Sequence, residues 1–160
     1  MAIFPIITGA ATEVLHHKAQ KVKDPKSPEI AKLIEDMFDS MHAAEGMGLA
    51  APQINISLRV AVIEFEKKRS VYINPTLTAM SSEKVLFEEG CLSLPQEFFW
   101  IERSLQVTVR YQDEHGVDRK EKLSGIMAIA IQHEIDHLEG TLIIDRYRKQ
   151  KVHPLTQKWS

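Results

Sequence analysis

SGIMAIAIQHEIDHLEG, residues 124–140, reads as one helix opened at Ser124-Gly125 and closed by Gly140. Ile126, Ile129, Ile131, Ile135 and Leu138 cover much of its circumference. A helix apolar on so many sides belongs inside a fold, not on its surface. Within it stands His133-Glu134-Ile135-Asp136-His137, an H-E-x-x-H. Residues four apart share one helix face, so both imidazoles reach a single ion. Glu134 is turned about 100° from His133, beside such an ion without having to be its ligand. That is where a base for a water molecule is needed. Two histidines and two carboxylates in an isoleucine-rich helix are costly unless paired or metal-bound. A satisfied histidine pair in the core is the plainer alternative and ranks below a metal site.

Outward from this helix the pattern is mixed. Ser27-Pro28 is a helix start, a capping residue followed by proline at the first helical position. Ile30, Leu33, Ile34, Met37, Phe38 and Met41 then recur at helical spacing, opposite Glu29, Lys32, Glu35, Asp36 and Asp39, until Gly46 and Gly48. The stretch before it, residues 1–26, reads as irregular. Residues 58–65 are rich in β-branched and apolar side chains and predict a strand. Glu66-Lys67-Lys68 predicts a turn, and residues 70–73 a return strand ending at Asn74-Pro75. Leu105, Val107, Val109 and Tyr111 alternate with polar residues, as a half-buried strand does. Asp113-Glu114-His115-Gly116 turns the chain into a returning strand over residues 117–123. Helix, antiparallel strands and then a buried helix indicate an α+β fold, not alternating βαβ units.

Two histidines leave a catalytic metal site incomplete, since three protein ligands are usual. Extended zinc-protease spacing would put a third histidine at residue 143, where Ile143 stands. His153 lies too far along for that pattern, and Asp145 is a weaker ligand. Cys91, in Glu89-Gly90-Cys91-Leu92-Ser93, is a soft donor in unusually polar surroundings for a core cysteine. The loop Gly46-Met47-Gly48-Leu49-Ala50-Ala51-Pro52-Gln53 lets backbone approach a ligand closely. Its Gln53 amide is able to donate to an oxyanion.

The chain has 160 residues, a net charge of −2, 44% hydrophobic and 26% charged residues, which suits one globular domain. Near balance of charge argues against a nucleic-acid binder. No apolar run is long enough to span a membrane, and residues 1–9 do not read as a secretory or transit signal. A single cysteine has no internal disulfide partner, which fits a reducing cytoplasm. The tail from Arg146 carries Arg148, Lys149, Lys151 and Lys158 with no acid. It reads as a solvated end, or as a contact for an anionic partner such as RNA.

GMGLAAPQ (46–53), EGCLS (89–93) and QHEIDHLEG (132–140), in that order, resemble the peptide deformylase family. The resemblance extends through the intervening strands to about Tyr147. It implies an α+β fold with antiparallel and mixed sheets packed around the helix that bears the H-E-x-x-H, in a single catalytic domain over residues 1–160. It implies Cys91, His133 and His137 as metal ligands and Glu134 as the general acid/base. Gln53 and the backbone N–H of Leu92 become oxyanion donors. Met47, Gly48, Phe87, Glu89, Ile126, Ile129 and Ala130 become substrate-binding residues, with plain core packing the alternative for the apolar ones. The implied cofactor is one divalent ion, Fe²⁺ in the cell, with Zn²⁺, Ni²⁺ or Co²⁺ as substitutes. The implied substrate is a nascent peptide beginning with N-formylmethionine, giving formate and a free amino terminus. A cytoplasmic monomer working near the ribosomal exit tunnel, without DNA or membrane partners, follows from the same resemblance. A zinc peptidase and a degenerate deformylase that only binds nascent chains are the competing readings.

Two departures from the family pattern stand out. Pro95 is followed by Gln96 where many members have glycine, and Phe98-Phe99-Trp100 stands near where some place an arginine. These aromatics predict an apolar rim favouring hydrophobic residues after methionine, or else a cluster packed on its own loop. Arg103 fits an arginine that many members retain.

Overall fold

The computed structural model describes residues 2–153. Helix α1 runs Pro28–Ala43, with the Ser27 side chain accepting from the Ile30 N–H at 3.2 Å. Its apolar face is buried as its spacing predicts, and it also buries Asp36 and Ser40. Those two polar groups hold the irregular N-terminal segment. Asp36 accepts from the Ala2 N–H, and Ser40 from the Phe4 N–H, each at 2.8 Å.

Strands β1 (Gly48–Ala50), β2 (Val60–Phe65), β3 (Lys68–Met80), β6 (Gln106–Gln112) and β7 (Asp118–Ser124) form one sheet in the order β1-β2-β3-β6-β7. Strands β4 (Lys84–Cys91) and β5 (Leu94–Ser104) form a separate hairpin. Every strand pairing is antiparallel. The mixed sheets implied by resemblance are therefore corrected to antiparallel ones, with one isolated parallel bridge between Gln20 and Leu58 among the described residues. The turn Glu66-Lys67 joins β2 to β3 with both φ angles positive, the backbone form that matches strand twist.

Asn74-Pro75 does not end β3 but bulges it. The register shifts between Ile73 and Thr76, and Asn74 takes φ 52°. Proline is tolerated there because a bulged residue needs no ladder N–H. The Asn74 side chain accepts from the Val22 N–H at 2.8 Å and donates to the Val22 carbonyl and to Gln112, each at 2.9 Å.

Helix α2 spans Gly125–Leu138 and α3 spans Ile143–Lys149. One core cluster joins α1 to β1 and β2. A second packs Ala128, Ile131 and Ile135 of α2 against Ile63, Tyr72, Val107 and Val109 of the larger sheet. A third joins Leu94 and Ile101 of β5 to Leu142 and Ile143, with Phe99 and Tyr147 against it. Gln132 fixes α2 to the hairpin, accepting from the Ser104 N–H at 3.1 Å and donating to its carbonyl at 2.9 Å. The larger sheet and the hairpin thus both contact α2.

Candidate metal centre

His133 and His137 lie one turn apart on α2, with their Nε2 atoms 3.2 Å apart. Cys91 ends β4 just before the tight turn at Leu92-Ser93, and its Sγ lies 3.3 Å from His137 Nε2. One ligand atom from each of the three residues falls within 4.8 Å of the others. A thiol and two imidazole nitrogens converging this closely in a buried place match the donor set of a divalent first-row ion.

The histidine tautomer at this centre is fixed by a carboxylate. Glu89 is 5% exposed and receives Nε and Nη2 of Arg103 at 2.7 and 2.9 Å. Burial would raise its carboxyl, but Arg103 and His133 bring it down to about 2. Ionised, it only accepts hydrogen bonds. The 2.9 Å contact to His133 Nδ1 is therefore donated by the imidazole. In the neutral imidazole this sets the tautomer that turns the Nε2 lone pair to the cluster, the one a metal-binding histidine needs. Without an ion, burial would lower the His133 pKa, but Cys91 and Glu89 hold it well above the usual imidazole value. An ion binding there therefore displaces a proton. His137 is held well below the usual imidazole pKa by burial, then by His133 and Arg103, so it keeps a free lone pair.

Glu134 is 4% exposed, and its Oε1 is buried without a hydrogen-bond partner among the described residues. Burial pushes its carboxyl up to about 7. Its other oxygen lies against Gly48, where a Cβ would stand 2.6 Å away. A side chain at position 48 would therefore displace this carboxylate oxygen.

Gln53 is fixed at both ends. Its Oε1 accepts from the Ala50 N–H at 3.0 Å, so its amide nitrogen must face the other way. That nitrogen donates to Ser93 Oγ at 3.1 Å and lies 3.7 Å from Cys91 Sγ. Leu92 occupies the β4–β5 turn, and its side chain fills the space a Cβ at Gly46 would need.

A cleft of about 940 Å³ opens over these groups. Met47, Gly48, Phe87, Glu89, Ile126, Ile129 and Ala130 all line it, together with Gln53, Cys91, Leu92, His133 and Glu134. Glu89 contributes little polarity there, since its carboxylate is taken by Arg103 and His133. The aromatic run splits by strand alternation. Phe98 lines the cleft and is 66% exposed, and its ring covers Gly90, its cross-strand partner. Phe99 turns inward onto Tyr147, with ring centroids 5.2 Å apart.

The residues weighed as alternative third ligands lie elsewhere. Ile143 is core, Asp145 accepts from the Leu142 N–H at 2.9 Å, and His153 packs on Tyr147. Arg146 escaped the sequence reading as part of this neighbourhood; Ser93 and Asp136 stood there inside their motifs without an assigned partner. Asp136 carried a signal, being the remaining acid of the H-E-x-x-H, whereas Arg146 looked like a tail charge. Of the tail, residues 154–160, including Lys158, lie outside the described residues. No helix among the described residues is long and apolar enough to cross a membrane.

Residues 4–153 match the family described as polypeptide deformylase. The peptide deformylase of Pseudothermotoga lettingae is 48% identical over 132 residues, covering 82% of this chain and 76% of that protein. That of Chlorobium luteolum is 40% identical over 163 residues, covering 98% and 84%. The crystal structure of the Thermotoga maritima deformylase superposes with a TM-score of 0.88 at 39% identity, covering 91% of this chain and 98% of that one. The actinonin-bound class I type b enzyme of Acinetobacter baumannii gives 0.86 at 34% identity, covering 91% and 99%. With family, fold and donor cluster in agreement, the chain belongs to the polypeptide deformylase family.

Proposed function

We propose that this chain is a metal-dependent hydrolase that removes the formyl group from N-formylmethionyl nascent peptides and releases formate. The observation that carries the reading is the convergence of Cys91, His133 and His137 beneath a largely apolar cleft. These three residues would hold the ion. When bound, a divalent ion there supplies Lewis acidity and brings the pKa of water toward neutrality.

The chain's own groups do the rest. Glu134 stands ready to take a proton from the attacking water and return it to the departing amine. Its burial and missing partner at Oε1 support a carboxylate kept for a reacting group. The Gln53 amide, already oriented by Ala50, and the Leu92 N–H donate to the oxygen on which negative charge develops. Met47, Gly48, Phe87, Ile126, Ile129 and Ala130 supply apolar surface for a methionine side chain. In this architecture α2 is the central element, with the sheets packed around it, and residues 1–160 act as a single catalytic domain.

Fe²⁺ is the proposed ion in the cell, with Zn²⁺, Ni²⁺ or Co²⁺ able to replace it; a Cys-His-His donor set accommodates each. We place the protein in the cytoplasm as a monomer that meets nascent chains near the ribosome. Anaerobic purification, metal analysis and a formate assay on formylmethionyl peptides test the whole reading. Stoichiometric metal and formate release are expected. Internal peptide-bond cleavage without formate would overturn it in favour of a peptidase, and metal without any hydrolysis in favour of a binding protein.

A further inference from the structure

The clamp on His133 continues beyond Arg103. Arg103 is 2% exposed, and its Nη1 donates to Asp136 Oδ2 at 2.6 Å. Asp136 in turn receives Arg146 of α3, whose Nη2 donates to Oδ1 at 2.6 Å and whose Nε donates to Oδ2. Four side chains from four elements, α3, α2, β5 and β4, therefore link the surface of α3 to one imidazole. The order is Arg146, Asp136, Arg103, Glu89 and then His133 Nδ1.

We propose that Arg146 is a positioning residue for the candidate metal centre: it saturates Asp136, so that Arg103 stays committed to Glu89 and Glu89 to His133. The inference rests on the proposed metal site, because the setting of His133 matters there only as a ligand.

Charge and donor counts carry the argument. Glu89 and Asp136 are matched by Arg103 and Arg146, so the buried group is neutral among these four. Arg103 uses Nε and Nη2 on Glu89 and has Nη1 for Asp136. Arg146 is the partner that reaches Asp136 Oδ1 among the described residues. Without Arg146, one guanidinium faces two buried carboxylates. An unsatisfied buried carboxylate oxygen is costly, so Asp136 turns to draw more of Arg103 toward itself. Glu89 then loses part of its bidentate hold, and the His133 ring loses the acceptor that sets its tautomer and angle. The neighbouring cations Arg148, Lys149 and Lys151 have no carboxylate partner among the described residues, so Arg146 is distinct from the charges around it. At 44% side-chain exposure, Arg146 is also the end of the chain of contacts that meets solvent.

Arg146→Met keeps the aliphatic stem and removes the donors. Two readouts separate positioning from simple anchoring of α3. The first is the NMR signal of the His133 Nδ1 proton in ion-free protein, which needs no metal. The second is Co²⁺ affinity by chelator competition, with the visible spectrum of the Co²⁺-loaded chain. In the variant we expect the His133 proton signal to shift or to broaden through faster exchange. Co²⁺ binding should weaken about tenfold, the lower end for loss of a ligand's supporting partner. Tyr147→Ala serves as the control, since it loosens α3 from Phe99 without touching Asp136. It should lower the melting temperature and leave the His133 signal in place.

An unmoved signal and unchanged Co²⁺ binding in Arg146→Met would overturn the proposal, whatever the melting temperature does. Equal disturbance by Tyr147→Ala would overturn it too, because docking of α3 would then explain the effect. Should Arg146→Met not fold, Arg146→Lys keeps the charge but loses the two-pronged geometry. It is expected to move the His133 signal partway, and no movement counts against the proposal. Failure of the unaltered protein to bind Co²⁺ would refute the metal reading alone, since the ion-free His133 signal still judges the contacts from Arg146.

Discussion

Glu134 and Phe98 both line the cleft, one buried and one exposed, and make opposite kinds of prediction. Glu134 is buried, lacks a partner at Oε1 and is not one of the three clustered donors. Glu134→Ala should therefore keep its metal while formate release falls by about 10²–10⁴, the range for losing a positioned acid/base. Metal content and single-turnover formate yield check this together, and equal release from both proteins would remove Glu134 from its assigned role. Phe98 is exposed and rests on Gly90 at the cleft mouth. Phe98→Arg exchanges an apolar rim for a charge without touching the donors. The preference among formylmethionyl peptides should shift away from hydrophobic second residues and toward acidic ones, read as kcat/KM ratios. An unchanged ranking would mean that the ring merely covers its own hairpin.

The elements are held in register by a few non-periodic contacts. Gly140, just past α2, has φ +77°, and a Cβ there would lie 2.6 Å from the carbonyl carbon and oxygen of His16. Both the left-handed backbone and the backbone-to-backbone approach exclude a side chain. Gly140→Ala should cost at least about 2 kcal/mol, one part from the left-handed conformation and another from forced movement of the N-terminal segment. Denaturant midpoints at constant slope would measure it, and a loss below about 0.5 kcal/mol would show that the segment yields freely. Three elements left little trace in the sequence. In β4 and β5 most residues are partly exposed, so the alternation that marks a half-buried strand is blurred. Helix α3 has seven residues, too short for a helical period to register.

Stability of the whole molecule depends on groups far from the cleft as well as on the ion. Asp36 is held below the ordinary aspartate range by its hydrogen bond from Lys32 at 2.7 Å, then by the Ala2 N–H. A depressed carboxyl contributes stability that is present above the unfolded value, near 3.8, and lost as pH falls through the lower folded one. Asp36→Asn should therefore flatten the acid limb of the stability–pH curve. Melting curves between pH 2 and 6, spanning roughly the usual carboxylate range, would show parallel limbs if Asp36 carried no such linkage. Ion removal acts differently, because a ligand that binds only the folded chain stabilises it by mass action. At free ion 100-fold above Kd the gain is about 2.7 kcal/mol, so chelation should lower the melting temperature by several degrees. Identical melts with and without chelator would leave the cluster without a bound ion.

Helical periodicity is a local property, and what depends on it was written in the chain: the capped, amphipathic α1, the apolar run of α2, and two imidazoles on one face of that helix. The soft donor Cys91 and the amide of Gln53 were legible as chemical types within their short motifs. Which groups meet was a different matter. Cys91 reaches His137 across 46 residues, Gln53 meets Ser93 across 40, and Arg103 joins Glu89 to Asp136. Those meetings follow from the tight turn after β4, from Gln132 fixing α2 to β5, and from α3 packing on the hairpin. No spacing along a chain encodes them, because a polar contact between distant segments has no period. It exists only once burial has removed water and left each charge to find its partner.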